Sequence, residues 1–377
     1  MSRPGFDISS RWLQEFTTAY PVEGYYLKAG ANGALSWQPA LGGGTSFDNM
    51  VIASDYADLQ DAVAASCDVG KVLWLNCELE TDASVPLTVD GSTILGIGRG
   101  YNGTAPAKLT ATDAVTTGVL DIRADGVTLS NFCIDVDSKA GNGLNIGHIS
   151  GTNTGTAYCG VLQNLEIMNA ATGNAIQWND NVDYWTMTAV RMMAGNKYAN
   201  YLNTPAGSDY DNGHLVFVGC EMSATYACLI RNAVAATFHR LTFMQCDFHD
   251  GHSNNYMVDT SDIHEARFYG CCFEANDGAN QGPDAAMLKL NSIGSGCWGC
   301  TFSFKDNTAG YYGVYGDAAY DPYPLWNCVM ENSVAAQHVE IVGSAASVVF
   351  PGLQSTYRNS CAGTATSNAV DLYDLVD

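Results

Sequence analysis

The stretch Phe217-Val-Gly-Cys220-Glu-Met222 returns along the chain in the same form. It is repeated as Phe243-Met-Gln-Cys246-Asp-Phe248, Phe268-Tyr-Gly-Cys271-Cys-Phe273, Cys297-Trp-Gly-Cys300-Thr-Phe302 and Leu325-Trp-Asn-Cys328-Val-Met330. The fourth-position cysteines are separated by 26, 25, 29 and 28 residues. Earlier copies read Leu129-Ser-Asn-Phe132-Cys-Ile134 and Leu162-Gln-Asn-Leu165-Glu-Ile167, with a less regular one around Arg191-Met192-Met193. Short alternating strands with Gly/Asn/Asp turns, repeating at roughly 20–30 residues, define a solenoid whose coils bury their apolar faces only by stacking. In a parallel β-helix, equivalent positions of successive coils lie about 4.8 Å apart. The repeat therefore predicts a vertical column of Cys220, Cys246, Cys271, Cys300 and Cys328. A second column of Met222, Phe248, Phe273, Phe302 and Met330 lies two residues on and faces the same way. Phe217, Phe243 and Phe268 form a third, aromatic column.

The columns also account for much of the cysteine content. Thirteen cysteines is an odd number, so internal disulfides leave at least one thiol over. In a column, Cys serves as a small buried apolar residue and needs no oxidising compartment. No CxxC…CxxC pair accompanies the ladder, and Cys297-Trp-Gly-Cys300 falls on repeat positions, so both residues read as core. Composition narrows the remaining classes. Sixteen Lys+Arg against 39 Asp+Glu leave a net charge of −23, which argues against binding a phosphate backbone. A 47% hydrophobic content argues against disorder. No run reaches the roughly 18 apolar residues of a membrane helix. The opening MSRPGFDISSRWLQEF contains no apolar signal-peptide core.

Upstream of the repeat, Ser54–Ser66 reads as an amphipathic helix capped by Ser54 or Asp55, with Tyr56, Leu59, Ala62 and Val63 as its apolar stripe. A helix here covers the open strand edge of the first coil. It is followed by the strand Gly70-Lys-Val-Leu-Trp-Leu75, then by Leu87-Thr-Val-Asp-Gly-Ser-Thr-Ile-Leu-Gly-Ile-Gly-Arg99 and Asp125-Gly-Val-Thr-Leu-Ser-Asn-Phe132. This succession resembles the start of the pectate-lyase-like right-handed β-helix superfamily, which includes many bacteriophage tailspikes. The resemblance covers roughly residues 54–330. It implies an all-β, right-handed parallel β-helix and, by likeness to tailspikes, a homotrimer. It implies little about chemistry, because this fold hosts lyases, hydrolases and binding proteins alike.

Three segments are expected. Residues 1–46 form an adaptor in which Tyr25–Gln38 reads as strand, Gly/Asn turn, strand. The pattern Tyr-x-Leu, then Gly-x-x-Gly-x-Leu-Ser-Trp, resembles small modules of phage fibres and spikes, and Leu41-Gly-Gly-Gly-Thr-Ser46 reads as a flexible joint. Residues 47–330 form the helix-capped solenoid, and 331–377 a C-terminal cap or contact segment.

The catalytic residues of pectate lyases and polygalacturonases cannot be carried over, because the chain has no Asp-Asp pair and no Arg-x-Lys. The repeat itself offers candidates. If Cys220, Met222, Cys246 and Phe248 point inward, Glu221 and Asp247 point outward on neighbouring coils. That arrangement suits a pair of glycosidase carboxylates, with Glu166 two coils below Glu221. Candidate glycan contacts are Trp178, Asp180, Tyr184, Trp185, Tyr226, His249, Asp250 and His252. Aromatic faces stack on pyranose rings, and the polar groups hold hydroxyls. Trp178-Asn-Asp-Asn-Val-Asp-Tyr-Trp185 reads as a turn or outer face. Phe248-His-Asp-Gly-His252 and Asp209-Tyr-Asp211-Asn-Gly213 fall short of a metal motif, so no metal or other cofactor is expected.

These readings point to a virion spike or fibre subunit that attaches to a host-surface polysaccharide. Residues 1–46 engage other tail or baseplate proteins, with no nucleic acid partner and no membrane insertion. The acidic charge favours a neutral glycan, since like charges repel. The alternatives are a depolymerase using Glu221 and Asp247, and a structural decoration protein without a receptor.

Overall fold

In the computed structural model the chain divides into two units, Met1–Asn49 and Met50–Asp377. The structure describes residues 25–29, 35–39 and most of 49–342. The main interruptions are 113–117, 148–155, 204–211, 232–237, 251–255, 276–285, 305–311, 318–324 and 333–338. In the first unit, strands Tyr25–Ala29 and Leu35–Pro39 pair antiparallel with Tyr25 opposite Pro39, the expected hairpin.

The second unit is a right-handed parallel β-helix. The chain winds through three faces in turn. One such coil runs through Asn212–Val218 on the first face, Glu221–Ala224 on the second and Ala227–Arg231 on the third. Phe238–Met244 then returns to the first face and pairs in parallel with the strand one coil below. The described strands number 13 on the first face and ten on each of the others. Pairing continues past residue 330, through Val329–Asn332 on the second face and Val339–Val342 on the third.

The columns read from the repeat are present. On the first face the stacked positions run Leu129, Leu162, Met187, Phe217, Phe243, Phe268, Cys297 and Leu325. The rings of Phe217, Phe243 and Phe268 stack at centroid spacings of 4.6 and 4.9 Å, and those of Phe248, Phe273 and Phe302 at 4.7 Å each. Phe243 and Phe248 meet edge to face across the interior at 5.6 Å. Strand spacing thus sets ring spacing, and each added coil extends both stacks.

Cys220, Cys246, Cys271, Cys300 and Cys328 are buried, unbridged, and stand at the corner between the first and second faces. The first four thiols each contact the backbone carbonyl of the first-face column one coil below: Cys220 to Met187, Cys246 to Phe217, Cys271 to Phe243 and Cys300 to Phe268, at 3.4–3.5 Å. A small, weakly polar S–H therefore fits a corner where an exposed carbonyl edge meets an apolar core. Burial raises the pKa of Cys297, and that of Cys133 to about 12, so both remain thiols at neutral pH. The corner turns because the preceding residue adopts a left-handed conformation: Asn131, Asn164, Ala189, Gly219, Gln245, Gly270 and Gly299 all have φ between 49° and 64°. Asn164 also donates to the side chain of Asn131 one coil below, at 2.8 Å.

The capping helix is shorter than the sequence suggests. Ala53–Asp55 form a 3₁₀ turn, and the α-helix spans Leu59–Ala65. Its N-cap is Asp58, which accepts from Asp61 N at 2.8 Å, rather than Ser54 or Asp55. Leu59, Ala62 and Val63 are buried against the strands Met50–Ile52, Glu78–Thr81 and Val85–Leu87.

Candidate functional site

The second face places Glu221 opposite Asp247 in register, with both side chains on the outer surface. They belong to a row that runs Glu166, Arg191, Glu221, Asp247 and Cys272 over successive coils. Arg191 lies between its two glutamates, 2.8 Å from Glu166 Oε1 and 3.0 Å from Glu221 Oε2. Glu166 is buried and also accepts from Gly103 N at 3.1 Å. Such a pair needs its guanidinium, because removal would strand a buried carboxylate. Asp247 is exposed, yet neighbouring atoms displace enough water to raise its pKa. His249 opposes that shift, while Cys246 and Glu221 add to it. The next outward row holds Ser223, His249 and Glu274. His249 Nδ1 lies 3.9 Å from Glu274 Oε2.

The first face presents a different surface. An open groove of about 660 Å³ is lined by Tyr184, Thr186, His214, Val216, Arg240, Thr242, Glu265 and Arg267. Four of these, Tyr184, His214, Arg240 and Glu265, are left-handed, with φ of 57°, 48°, 56° and 59°. They occupy equivalent positions on consecutive coils, two residues before the paired Thr186, Val216, Thr242 and Arg267. The same position is Gly70, Gly91 and Gly126 on earlier coils, Cys159 on the coil before Tyr184, and Gly294 on the coil after Glu265. All of these are also left-handed. The backbone therefore demands a left-handed bulge on every coil. Glycine meets that demand at the ends of the series. Large polar and aromatic side chains replace it in the middle, at about 1 kcal/mol or more each. A Cβ at Gly70 or Gly91 meets nothing within 4 Å, and at Gly294 it lies nearest the side chain and Cα of Glu265, so the position opens outward.

These side chains contact one another along the solenoid. The Tyr184 ring stacks on His214 at 4.5 Å, 11° from parallel. His214 Nδ1 lies 2.6 Å from Asp183 Oδ1, and Arg240 donates to His214 Nε2 at 2.9 Å. Glu265 Oε2 is 3.4 Å from both Arg240 and Arg267. Arginine has no acceptor, so Nε2 receives and the imidazole proton sits on Nδ1, facing Asp183.

The structure corrects two sequence expectations. Trp178 and Trp185 are fully buried and present no face to a glycan. The left-handed Tyr184 shifts the strand's alternation so that Trp185 turns inward, over Gly160, where any Cβ would overlap the indole. Trp185 Nε1 donates to Ala157 O at 2.6 Å, and Trp178 Nε1 to Asn200 Oδ1 at 3.0 Å. Within the stretch between them, residues 179–182 form a buried amide corner and not an exposed turn. Asn179 bonds Asn145 and Asn203, and Asp180 is buried, accepting from Asn212 at 3.0 Å. Tyr184 and Tyr226 are exposed, Tyr226 lying edge-on to Tyr198. His249 and Asp250 lie on the second-face strand Asp247–Asp250. His252 and the Asp209–Asp211 motif lie outside the described residues.

His214, Arg240, Glu265 and Arg267 escaped the sequence reading. A signal was present: Gly70, Gly91, Gly126 and Gly294 mark the bulge position, and aligning coils on the first-face columns places the other side chains at that position.

No protein-family model matches the chain, and no curated protein matches it. Solved structures do. ORF18 of Geobacillus virus E2 matches with a TM-score of 0.56 at 12% identity, over 88% of this chain and 66% of that one. The enzymatically active domain of tailspike protein 2 from bacteriophage CBA120 matches at 0.56 and 11%, over 88% and 50%. The tailspike protein of Acinetobacter phage vB_ApiP_P1 matches at 0.53 and 12%, over 92% and 68%. The chain thus spans about half to two thirds of the tailspike chains it is similar to. At these identities the likeness is one of fold: the right-handed parallel β-helix of phage tailspikes.

Proposed function

We propose that the chain is a phage spike subunit that attaches to a host-surface glycan through the first-face groove, with residues 1–46 joining it to other tail or baseplate proteins. The observation that carries this reading is the left-handed row. Four consecutive coils hold Tyr184, His214, Arg240 and Glu265 where the series holds Gly126 and Cys159 before them and Gly294 after, and the side chains face an open groove. Strain kept at an outward position that opens on a groove points to a site kept for contact. Tyr184 supplies an exposed ring, and the Thr, His, Arg and Glu groups supply donors and acceptors for hydroxyls. The likeness to tailspikes supports a place in the virion tail and a trimeric assembly.

Adsorption of the purified chain to host cells tests the proposal. Tyr184→Gly removes the ring and relieves its backbone, and adsorption should weaken by on the order of tenfold. Undiminished adsorption removes the groove from the interface. No adsorption by the parent chain favours a decoration protein instead.

A second reading has its own observation. Asp247, its pKa raised, stands one coil from Glu221, which Arg191 holds as an ion pair. Neighbouring carboxyl groups in contrasting environments are how an acid and a nucleophile are divided in glycosidases. One of the similar tailspike structures is described as enzymatically active. Sizing a host polysaccharide after incubation tests this, and Glu221→Gln should leave the polymer intact. Full shortening by that variant sinks the assignment.

A further inference from the structure

We infer that the groove reads an anionic substituent: Arg240 and Arg267 take a carboxylate or phosphate group on the glycan, displacing Glu265 from between them. This rests on the glycan-attachment reading and adds the chemical class of the ligand. The arginine inventory points to it. Arg99 donates to the carbonyls of Leu165 and Ala189, at 3.3 and 2.7 Å. Arg123 pairs with the buried Asp121. Arg191 is buried between Glu166 and Glu221. Each of these has a structural task. The side chains of Arg240 and Arg267 are instead 60% and 44% exposed, on neighbouring coils in one groove.

Their internal partner holds them loosely. A single oxygen of Glu265 serves both guanidinium groups at 3.4 Å, against 2.8 Å for the Arg191–Glu166 contact. Each guanidinium carries five N–H donors in a planar fork suited to two-point capture of a carboxylate or phosphate. Glu265 engages the two groups through one oxygen, and an incoming carboxylate or phosphate can engage them at two points. His214 adds orientation without neutralising charge: its neutral Nε2 accepts from Arg240 and leaves the guanidinium cationic.

The net charge of −23 gives the opposite expectation, a neutral glycan, only if charge is averaged over the surface. Exposed charges more than about 8–10 Å away are largely screened at physiological ionic strength. Within that range of the two guanidinium groups, Glu265 is the carboxylate that contacts both, and Asp183 is bonded to His214. Among the described residues in contact with them, a ligand anion therefore meets two cations and the carboxylate of Glu265.

The test uses the full chain and three small probes, glucuronate, glucose 1-phosphate and methyl glucoside, read through the Nε–Hε NMR resonances of arginine. Glucuronate or glucose 1-phosphate should move the Arg240 and Arg267 signals while methyl glucoside leaves them in place, and the more effective anion identifies the source. Arg240→Gly should weaken anion binding, and Glu265→Gly should strengthen it, each by on the order of tenfold. Both variants install the glycine that Gly126 and Gly294 already supply at this position on other coils, so the fold is preserved, and an unchanged unfolding midpoint checks this. Silence of both signals with both anions overturns the inference. So does equal binding of methyl glucoside, or weaker binding by Glu265→Gly. None of these results touches glycan attachment itself, which is decided by the adsorption of Tyr184→Gly.

Discussion

The inner columns and the outer left-handed row obey the same backbone repeat and use it in opposite ways. Inside, Phe217, Phe243 and Phe268 are the same residue coil after coil, because each ring's best neighbour is another ring one strand spacing away. Outside, the equivalent positions read Gly126, Cys159, Tyr184, His214, Arg240, Glu265 and Gly294. The backbone fixes where these side chains stand but not what they are. Uniformity in the core marks stability, and the varied row that opens on the groove is what the proposed function rests on.

The comparison breaks most visibly in the core. Phe243→Ala removes a ring stacked on both sides and should lower stability by about 3–5 kcal/mol in denaturant unfolding. A loss below about 1 kcal/mol would mean that the columns are not what holds the coils together. Arg191 tests whether outward residues are always dispensable for folding. Arg191→Met leaves Glu166 buried without its cation and should cost about 3 kcal/mol at neutral pH. In the double variant with Glu166→Gln, much of that loss should return.

On the left-handed row the sign reverses. Tyr184→Gly or Arg240→Gly should leave the unfolding midpoint unchanged or raise stability by up to about 1 kcal/mol, while binding falls. A large destabilisation would recast the row as structural. The smallest effect concerns Asp247. Its pKa in the folded chain is raised, so the ionised form is disfavoured by folding. The resulting penalty is absent below the ordinary Asp pKa of about 4, grows as pH rises through the window up to the raised value, and is complete above it. Asp247→Asn should therefore match the parent near pH 3 and be slightly more stable at pH 7. Identical midpoints at both would show that solvent screens the site fully.

What could be read in advance follows the same division. The Cys and Phe columns were legible because a repeated motif carries its own register, and register alone fixes which residues stack. Glu221 and Asp247 were placed side by side on the second face for that reason. Trp185 was misplaced because one left-handed residue, Tyr184, offsets the inside–outside alternation, and Trp178 because it ends a third-face strand, Ile176–Trp178, whose alternation turns it inward. Asp58, not Ser54, caps the helix because the chain first turns through Ala53–Asp55.

By itself the sequence determined the solenoid, its coil length and its core columns. These depend on apolar residues recurring at fixed steps, and a strand's two faces follow from that pattern. Only the tertiary structure decided that Tyr184, His214, Arg240 and Glu265 meet in one groove. They lie 30, 26 and 25 residues apart in the chain and share no motif. They come together because each occupies the same bulge, and a bulge is a property of φ, which non-glycine side chains conceal from the sequence.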